Sequence, residues 1–445
     1  MIAWAILAVV IPWITGGAIL AALPGCRFGH MHLIGAGYLL GQTIVMAALY
    51  AVLRIGGGGA HPRWILAVLA VAAAAAAAVW KARRHVKPPT PVGLSAKKPR
   101  GRLLLIAAIL LLIFGKLVPV VASTLFVPVR GDDAISIWLL RAKVVTVLDQ
   151  LPTDPAHPYY LGGAAPAYPM FLSLAAAWIP MVAGQWHETF AILPWPLTYL
   201  SLILLVAGGL RRIIGNLPAW IAAYLVASLP LLLLHACRPG YADLPLATFL
   251  AATVLHLIKW RESRLLQDFA IALAFALTAG CLKREGPPLA LIAVAGFLIA
   301  SLEAFRVMSR GQQATAVTML LGSAISCIAL VDFSEQSDAL AQFAWQAGVA
   351  QALGRHAFEW SSMGLFFPLL LIGLGLLVAR RSAAHRITTL TLVSGFLAFD
   401  ATVFLLTPQG RFALNDQTPS RLFLQVAPAM ILLMASSLAR PKEPA

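Results

Sequence analysis

Charged side chains are scarce in this chain of 445 residues. Asp, Glu, Lys and Arg together account for 11% of the sequence, whereas 60% of the residues are hydrophobic. A water-soluble domain carries about 25% charged residues. The shortage excludes an ordinary soluble fold, and the repeated apolar runs predict an all-α protein that crosses a membrane many times.

Several common functional motifs are also missing. The four cysteines have no C-x-x-C spacing, so neither a zinc site nor a disulfide framework is expected. The sequence contains no P-loop, no dinucleotide fingerprint and no Gly-x-Ser-x-Gly elbow. Any chemistry must therefore come from side chains outside these motifs.

Acidic residues are few, and the net charge is +16, from 33 basic residues against 17 acidic ones. In a soluble chain this excess would suggest nucleic acid. Here the bases cluster between apolar runs, which is typical of cytoplasmic loops in membrane proteins. We therefore expect no nucleic-acid partner, and we expect anionic membrane lipids to be attracted to these loops.

The apolar windows follow one another with no room for a soluble domain. The first window lacks the basic start of a cleaved signal peptide, so we expect it to be a retained span. A span needs about 20 mostly apolar residues. The windows lie at 2–23, 31–53, 63–80, 103–121, 166–183, 189–209, 217–235, 244–258, 269–282, 287–305, 315–331, 362–379, 387–406 and 421–438.

The basic loops predict how the chain is oriented. The loop from Lys81 to Arg102 holds eight basic residues and no acid, so we expect it in the cytoplasm. Later basic turns, beginning with Arg211-Arg212, fall on the same side only if the window 166–183 dips into the membrane and returns. A full crossing would invert all of them. We therefore prefer the dip, which leaves about 13 spans and places the loops around 132, 240, 332–362 and 407–420 together on the outer side.

Two adjacent carboxylates, Asp132 and Asp133, follow the fourth apolar run. Written as an α-helix from Asp133, the next residues form an amphipathic segment that predicts an interfacial helix with Trp138 at head-group depth. The carboxylate would lie about two to three turns from Arg141 and Lys143, which suits a general base beside a phosphate-bearing lipid. The alternative is an ordinary interfacial helix with an Asp cap and snorkelling bases.

Three further polar stretches fall on the same predicted side. Tyr241 and Asp243 precede an apolar window, where Asp243 is either a plain N-cap or a second carboxylate of the same cavity. Lys283 and Arg284 lie between two apolar windows, where their charge is costly unless a carboxylate or an anion balances it. Arg421 opens the last window as either an interfacial anchor or a phosphate ligand.

The order of these stretches resembles multi-pass GT-C-type glycosyltransferases, especially the family-39-like enzymes that include protein mannosyltransferases and aminoarabinose transferases. The resemblance covers most of the chain from about residue 120 onward. We therefore divide the chain into N-terminal spans with a basic loop, 1–102, and a GT-C-like catalytic module, 103–445. The matching stretches are an acid followed by Ala-x-Ser-Ile-Trp-Leu-x-Arg-Ala-Lys at 133–143, Tyr168-Pro169, Gly240-Tyr241-Ala242-Asp243-Leu244-Pro245, Lys283-x-Glu285-Gly286 and Ser420-Arg421-Leu422.

The resemblance implies a GT-C-type helical bundle with interfacial helices in the first large extracytoplasmic loop. It implies transfer of a sugar from a polyprenyl-phosphate-linked donor to a glycan, lipid or protein acceptor, at the outer face of a bacterial cytoplasmic membrane. The family's loop carboxylate is the general base. That role falls on Asp133, with Asp132 as the alternate, and Asp243 matches an acidic position that shapes the family's active site.

The resemblance also assigns the cations of the site. Lys283 and Arg421 would stabilise the leaving phosphate, and the substrate-binding set is completed by Arg284, Arg141, Lys143 and Tyr241. Many relatives have an aromatic residue where Asp132 stands. Two adjacent acids could share a proton or a metal, so a divalent cation is the one candidate cofactor.

Two other classes of protein remain open. A transporter or lipid flippase could use Asp133, Asp243 and Asp400 as proton or substrate sites, and Asp400 is costly inside its apolar run. Transporters usually show internal repeats of matched broken helices, which this sequence lacks. A non-catalytic scaffold would leave the converging carboxylates and bases unexplained. The lipid-donor glycosyltransferase is therefore the leading hypothesis.

Overall fold

The computed structural model describes residues 1–24, 28–55, 62–84, 100–152, 154, 156–157, 168–306, 308–330, 344–359, 362–379, 386–414 and 419–438. Every regular element in these ranges is helical, and none of the described residues lies in a strand. The prediction of an all-α protein is therefore confirmed for this part of the chain. Most of the predicted basic loop 81–102, and the first part of the loop 332–362, lie outside the described residues.

Twenty α-helices and one π-helical segment follow one another along the described chain. The first half comprises α1 (Ile2–Ala22), α2 (His30–Ile55), α3 (Arg63–Arg84), α4 (Arg100–Phe126), the π-helical segment (Asp133–Leu139) with α5 (Leu140–Leu148), α6 (Phe171–Ala183), α7 (Glu188–Ile192), α8 (Pro194–Ile214), α9 (Asn216–Ala227) and α10 (Pro230–Cys237). The second half comprises α11 (Asp243–Ser263), α12 (Leu266–Gly280), α13 (Gly286–Ala300), α14 (Leu302–Arg306), α15 (Arg310–Leu330), α16 (Val349–Phe358), α17 (Phe366–Ala379), α18 (Arg386–Leu406), α19 (Gly410–Leu414) and α20 (Pro419–Ser437).

Seven helical stretches among the described residues are long and apolar enough to cross a membrane, and an eighth is possible if the bent pair α9–α10 is one span. Side chains on α4 such as Leu104 (71% exposed) and Leu111 (70% exposed) point away from the bundle, as expected for a surface that contacts lipid tails. The chain is thus a multi-pass helical membrane protein. The figure of about 13 spans stays a prediction, because α6, α12, α13 and α17 are apolar but shorter.

The bundle has two distinct ends. We call the end where α4 finishes and α11, α13 and α20 begin the carboxylate end, because Asp133, Asp243 and Glu285 lie there. The opposite end is called the basic end, since Arg211, Arg212 and the last turn of α11 lie there. All the predicted site residues therefore lie at or beside one end of the bundle.

Helix α6 enters and leaves at the carboxylate end. Its first residue, Phe171, lies against Tyr50 near the end of α2, with ring centroids 6.1 Å apart. Its last turn is held by Arg63 at the start of α3, whose Nε donates to the Val182 carbonyl over 3.1 Å. The end of α2 and the start of α3 lie at the same end of the bundle, so these contacts agree with the predicted dip rather than a crossing.

The pair α9–α10 bends by 65° between Ala227 and Pro230. Proline has no backbone N–H, so Pro230 cannot continue the hydrogen bonding of α9 and instead begins a new helix. The bend carries α10 toward the start of α11.

Helix α11 forms the centre of the bundle. Nearly all its side chains from Asp243 to Ile258 are buried, against α8, α12, α13 and α20. The N-terminal helices pack onto the same core, and the Tyr38 hydroxyl of α2 donates to the Pro194 carbonyl of α8 over 3.3 Å. The predicted division at residue 102 stays a prediction, and α1 and α2 pack on α6 and α8 across it.

Candidate functional site

The carboxylate motif folds differently from the predicted α-helix. Asp133 opens a π-helical segment of seven residues, a geometry that is rare and frequently found at functional sites. Trp138, which the α-helical pattern predicts at head-group depth, is 1% exposed and packs edge-on against Tyr168, so its ring lies inside the protein, and its depth in the membrane stays a prediction. The extra residue in the π-turn rotates the segment, and Ile135 becomes the exposed apolar side chain at 53%.

Gly131 fixes the approach to this segment. Its φ of +122° lies in the region that favours glycine, and a side chain there would collide with the hydroxyl of Tyr241. The loop before Asp133 is therefore in direct contact with the loop before Asp243. This contact brings the first two predicted acidic stretches together.

Asp243 is completely buried and is surrounded by donors. Its Oδ1 accepts hydrogen bonds from Lys283 Nζ (2.9 Å) and Gln425 Nε2 (2.8 Å), and its Oδ2 accepts one from Arg421 Nε (2.9 Å). His235 Nδ1 lies 3.6 Å from Oδ2. The N-cap position of α11 belongs to Ala242, so the plain capping role considered for Asp243 does not apply.

Arg421 joins the two carboxylates. One terminal nitrogen lies 2.7 Å from Asp133 Oδ2 and 2.9 Å from Asp243 Oδ2, and the guanidinium carbon lies 5.1 Å from the centre of the Tyr241 ring. The planar guanidinium suits this double contact because its donors diverge in fixed directions. Arg421 thus holds one oxygen of Asp133 at a fixed place, and Asp133 Oδ1 makes no hydrogen bond to the described residues.

Lys283 is buried beside the same carboxylate. Its ammonium lies 2.9 Å from Asp243 and 3.3 Å from Glu285, with only 6% of its side chain exposed. Burial disfavours the charged ammonium, but the two carboxylates outweigh burial and raise the pKa of Lys283 above its ordinary value. Asp133, Arg421, Asp243, Lys283 and Glu285 therefore form one continuous chain of alternating charges, which we call the charge network.

The structure brings four of the predicted residues into this network, places Tyr241 against Arg421, and leaves the other predicted residues outside. Arg284 lies over the Tyr168 ring at 4.3 Å, and Arg141 is fully buried with one terminal nitrogen donating to the Tyr168 carbonyl over 2.7 Å. Lys143 and Asp132 are exposed. Arg141 thus fixes the backbone before α6, and the predicted substrate contacts of these residues stay predictions.

Two members of the site were not singled out from the sequence. Gln425 lies one helical turn after Arg421, and its amide in an otherwise apolar window is a signal that could have been used. His235 gave no such signal, because a single histidine at the end of an apolar run is ordinary. Only the bend before α10 turns it toward Asp243.

The residues present do not fit a divalent cation. No group of three or more metal-binding side chains occurs in the described ranges. Asp133 Oδ2 and Asp243 Oδ2 are instead both bound to Arg421, and Asp243 Oδ1 is bound to Lys283. The carboxylates of the network are therefore held by Arg421 and Lys283 rather than arranged around a metal ion.

Two cavities adjoin this end of the bundle. An apolar groove of about 830 Å³ runs between α9, α17 and the second half of α20, and it reaches Met363 at its carboxylate end. A separate polar pocket of about 350 Å³ is lined by Arg355, His356, Glu359, Ser362 and Ser420. Both volumes lie in the range of about 300–1,000 Å³ that is typical of small-molecule sites.

The two cavities meet the charge network through neighbouring residues. Ser362 in the polar pocket directly precedes Met363 in the apolar groove, and Ser420 directly precedes Arg421. An apolar path, a polar pocket and a set of paired charges therefore lie side by side.

Comparison with known proteins gave no match for this chain. No protein-family model matches the sequence, and no significantly similar curated protein or solved structure was found.

Proposed function

We propose that this protein is an integral membrane glycosyltransferase that moves a sugar from a polyprenyl-phosphate-linked donor to a glycan, lipid or protein acceptor. The observation that carries the proposal is the position of Arg421, which binds both Asp133 and Asp243 across distances of 2.7 and 2.9 Å. A carboxylate oriented by a buried ion pair, beside a lateral apolar groove, suits a reaction between a membrane lipid and a hydroxyl group.

The proposed reaction follows from the placement of Asp133. Its Oδ1 accepts the proton of the acceptor hydroxyl while the acceptor oxygen attacks the anomeric carbon of the donor. The bond between that carbon and the phosphate oxygen breaks, and the lipid phosphate leaves with the electron pair. Attack from the face opposite the phosphate inverts the configuration. Asp243 acts as a positioning residue, because it touches Asp133 only through Arg421.

The apolar groove supports a lipid donor. Its walls expose Leu369 (42%), Ile372 (60%) and Ile221 (41%), and the residues of α17 from Phe366 to Leu376 span roughly 15 Å at about 1.5 Å per residue. That length corresponds to about half of a hydrocarbon core of about 30 Å. A prenyl chain lying there would present its phosphate end at Met363, beside the polar pocket.

A direct assay tests the proposal. Protein reconstituted in nanodiscs is incubated with a radiolabelled polyprenyl-phosphate sugar and a membrane extract that supplies acceptors. We expect label to move into a new product whose anomeric configuration is opposite to that of the donor. Hydrolysis without transfer, or the absence of any product in every acceptor fraction, would count against a transferase.

A transporter is the second candidate, and Asp400 is the observation that favours it. Asp400 lies in the middle of α18, is 1% exposed, and neither of its carboxyl oxygens has a hydrogen-bond partner among the described residues. Ionisable groups at such positions often mark transport pathways. Flux of the labelled lipid across sealed vesicles, without a new glycosylated product, would support this alternative.

A bacterial cytoplasmic membrane is proposed as the location, with the carboxylate end outside. Reporter fusions at Arg212 and Tyr241 would then report opposite sides of the membrane.

A further inference from the structure

Asp400 is a buried carboxyl group without a hydrogen-bond partner. It lies on α18, is 1% exposed, and neither of its oxygens has such a partner among the described residues. Phe396 and Phe404 lie one turn before and one turn after it on the same face of the helix, and both are buried. An ionised carboxylate in these surroundings is very costly, so we expect the group to take up a proton or a cation.

The packing of α18 on α13 places Glu285 beside Asp400. Two close contacts join these helices: a Cβ added to Gly395 would lie 3.0 Å from Ile292, and one added to Gly296 would lie 2.9 Å from Leu392. Residue numbers rise along one helix as they fall along the other, so the helices are antiparallel. Toward the carboxylate end, Asp400 is five residues beyond Gly395 and Glu285 is seven residues before Ile292. At about 1.5 Å per residue, the two acids are level to within about 3 Å along the helix axes.

Glu285 has one oxygen in the charge network and one outside it. Its Oε1 lies 3.3 Å from the ammonium of Lys283, whereas its Oε2 is buried and has no hydrogen-bond partner among the described residues. Within the described part of the chain, Glu285 is also the charged group that acts electrostatically on Asp400. Three buried carboxyl oxygens without hydrogen bonds therefore belong to two neighbouring acids.

A proton fits this pair of acids better than a metal cation does. Cations that bind oxygen, such as Mg²⁺ and Ca²⁺, take about six to eight ligands. The two acids offer three oxygens, and no group of three or more metal-binding side chains occurs in the ranges that the structure describes. A single proton on one of two neighbouring carboxyl groups removes the repulsion between them and needs no further ligand.

Charge balance at the carboxylate end favours the same conclusion. The charge network contains three carboxylates and two cations, which leaves one excess negative charge. An ionised Asp400 would raise this excess to two, and no cation of the described residues acts on Asp400 to offset it. A proton on Asp400 keeps the excess at one.

We propose that Asp400 and Glu285 form a proton-binding site, in which Asp400 holds the proton as a neutral carboxylic acid and the negative charge of Glu285 keeps it there. The proposal does not depend on the transferase reaction. In a transporter the site would bind and release its proton, whereas in a transferase it would stay neutral beside the charge network. The sequence alone marks Asp400 as costly in an apolar run, and the packing of α13 on α18 supplies its neighbour.

Infrared difference spectroscopy tests the proposal, because a protonated carboxyl group has a C=O stretching band that an ionised carboxylate lacks. Full-length protein in nanodiscs is measured in H₂O and D₂O from about pH 5 to 9. The variants are Asp400→Asn and Glu285→Gln. Asp268→Asn is the matched control, because Asp268 is also buried (3% exposed) but has partners: its Oδ2 accepts from Ser263 Oγ over 2.8 Å, and His256 Nδ1 lies 3.5 Å from Oδ1.

We expect the wild type to show a protonated-carboxyl band at about pH 7, where an ordinary aspartate with a pKa of about 3.9 is ionised. The band should shift in D₂O, be lost in Asp400→Asn and be kept in Asp268→Asn. Glu285→Gln removes the neighbouring negative charge, so its band should disappear at a lower pH than the wild-type band does. Asp400→Asn should melt near the wild-type temperature, since the amide has the shape and the neutrality of the acid.

Three results would overturn the proposal. The first is a wild-type spectrum without the band, or a band that persists in Asp400→Asn, because Asp400 would then not be the group that holds the proton. The second is a band that vanishes when Na⁺ is added, which would make the pair a site for a metal cation. The third is an Asp400→Asn variant that does not fold, because a neutral amide should replace a neutral acid without such a loss.

Discussion

Asp133 and Asp243 both bind Arg421, but replacing each one singly should affect the stability of the protein to very different extents. Asp243 is completely buried, and Asp243→Asn removes the negative charge that balances Lys283 and Arg421. Breaking a buried ion pair by removing one partner costs about 3–5 kcal/mol. Asp133 is 36% exposed at its side chain, so solvent screening limits the cost of Asp133→Asn to about 1 kcal/mol or less.

The transfer rate should fall in both variants, even though only Asp243→Asn is expected to be strongly destabilised. Asp133→Asn removes the proposed base, and loss of a general base typically lowers the rate by about 10²- to 10⁴-fold. Asp243→Asn should also lose activity, since Arg421 would no longer be held in place. Asp132→Asn should keep both activity and stability, because the Asp132 side chain is exposed and outside the network.

The assay is initial transfer rate in nanodiscs, together with thermal unfolding followed by tryptophan fluorescence. The reasoning is refuted if Asp133→Asn and Asp243→Asn lower the melting temperature equally, because the two carboxylates would then be energetically equivalent. Transfer at the wild-type rate by Asp133→Asn would remove it as the base. If Asp132→Asn alone abolished transfer, the neighbouring acid would take that role.

Three further predictions test single features. Gly131→Ala should push Tyr241 away and destabilise the protein by about 1–3 kcal/mol because of its positive φ, whereas Gly115→Ala, which meets open space, should be neutral or slightly stabilising in the same thermal assay. The raised pKa of Lys283 means that its contribution to stability is fully present below its ordinary pKa of 10.5 and is lost only at higher pH. The difference in melting temperature between wild type and Lys283→Met should therefore be constant from pH 6 to about pH 9. A difference that vanishes in that window would contradict the assignment. Asp400→Asn should leave sugar transfer intact, whereas loss of lipid flux in the same variant would favour a transporter.

Part of this architecture follows directly from composition. The low share of charged residues and the apolar windows predicted a helical membrane protein, and the distribution of Lys and Arg predicted that the segment 166–183 would dip and return. The contacts of Arg63 with Val182 and of Phe171 with Tyr50 agree with that dip. The helical membrane class could be predicted because hydropathy is a property of local sequence, whereas the dip itself stays a prediction.

The local geometry of the acidic motif could not be predicted in this way. An α-helical period of 3.6 residues placed Trp138 in the interface, but the π-helical segment buries it against Tyr168. Whether a chain inserts one extra residue per turn depends on what packs against it. Here the packing partner, Tyr168, lies 30 residues away along the sequence from Trp138.

The sequence by itself determined that acids and bases are few and that most of them stand between apolar runs, and it predicted that several share one side of a membrane. Only the tertiary structure decided which of them meet. Lys283 and Asp243 are 40 residues apart in sequence, Arg421 and Asp243 are 178 apart, and Arg421 and Asp133 are 288 apart. A buried charge needs a partner of opposite charge. Which residue becomes that partner depends on how the helices pack around α11, because the packing sets the distances between residues that are far apart in the sequence.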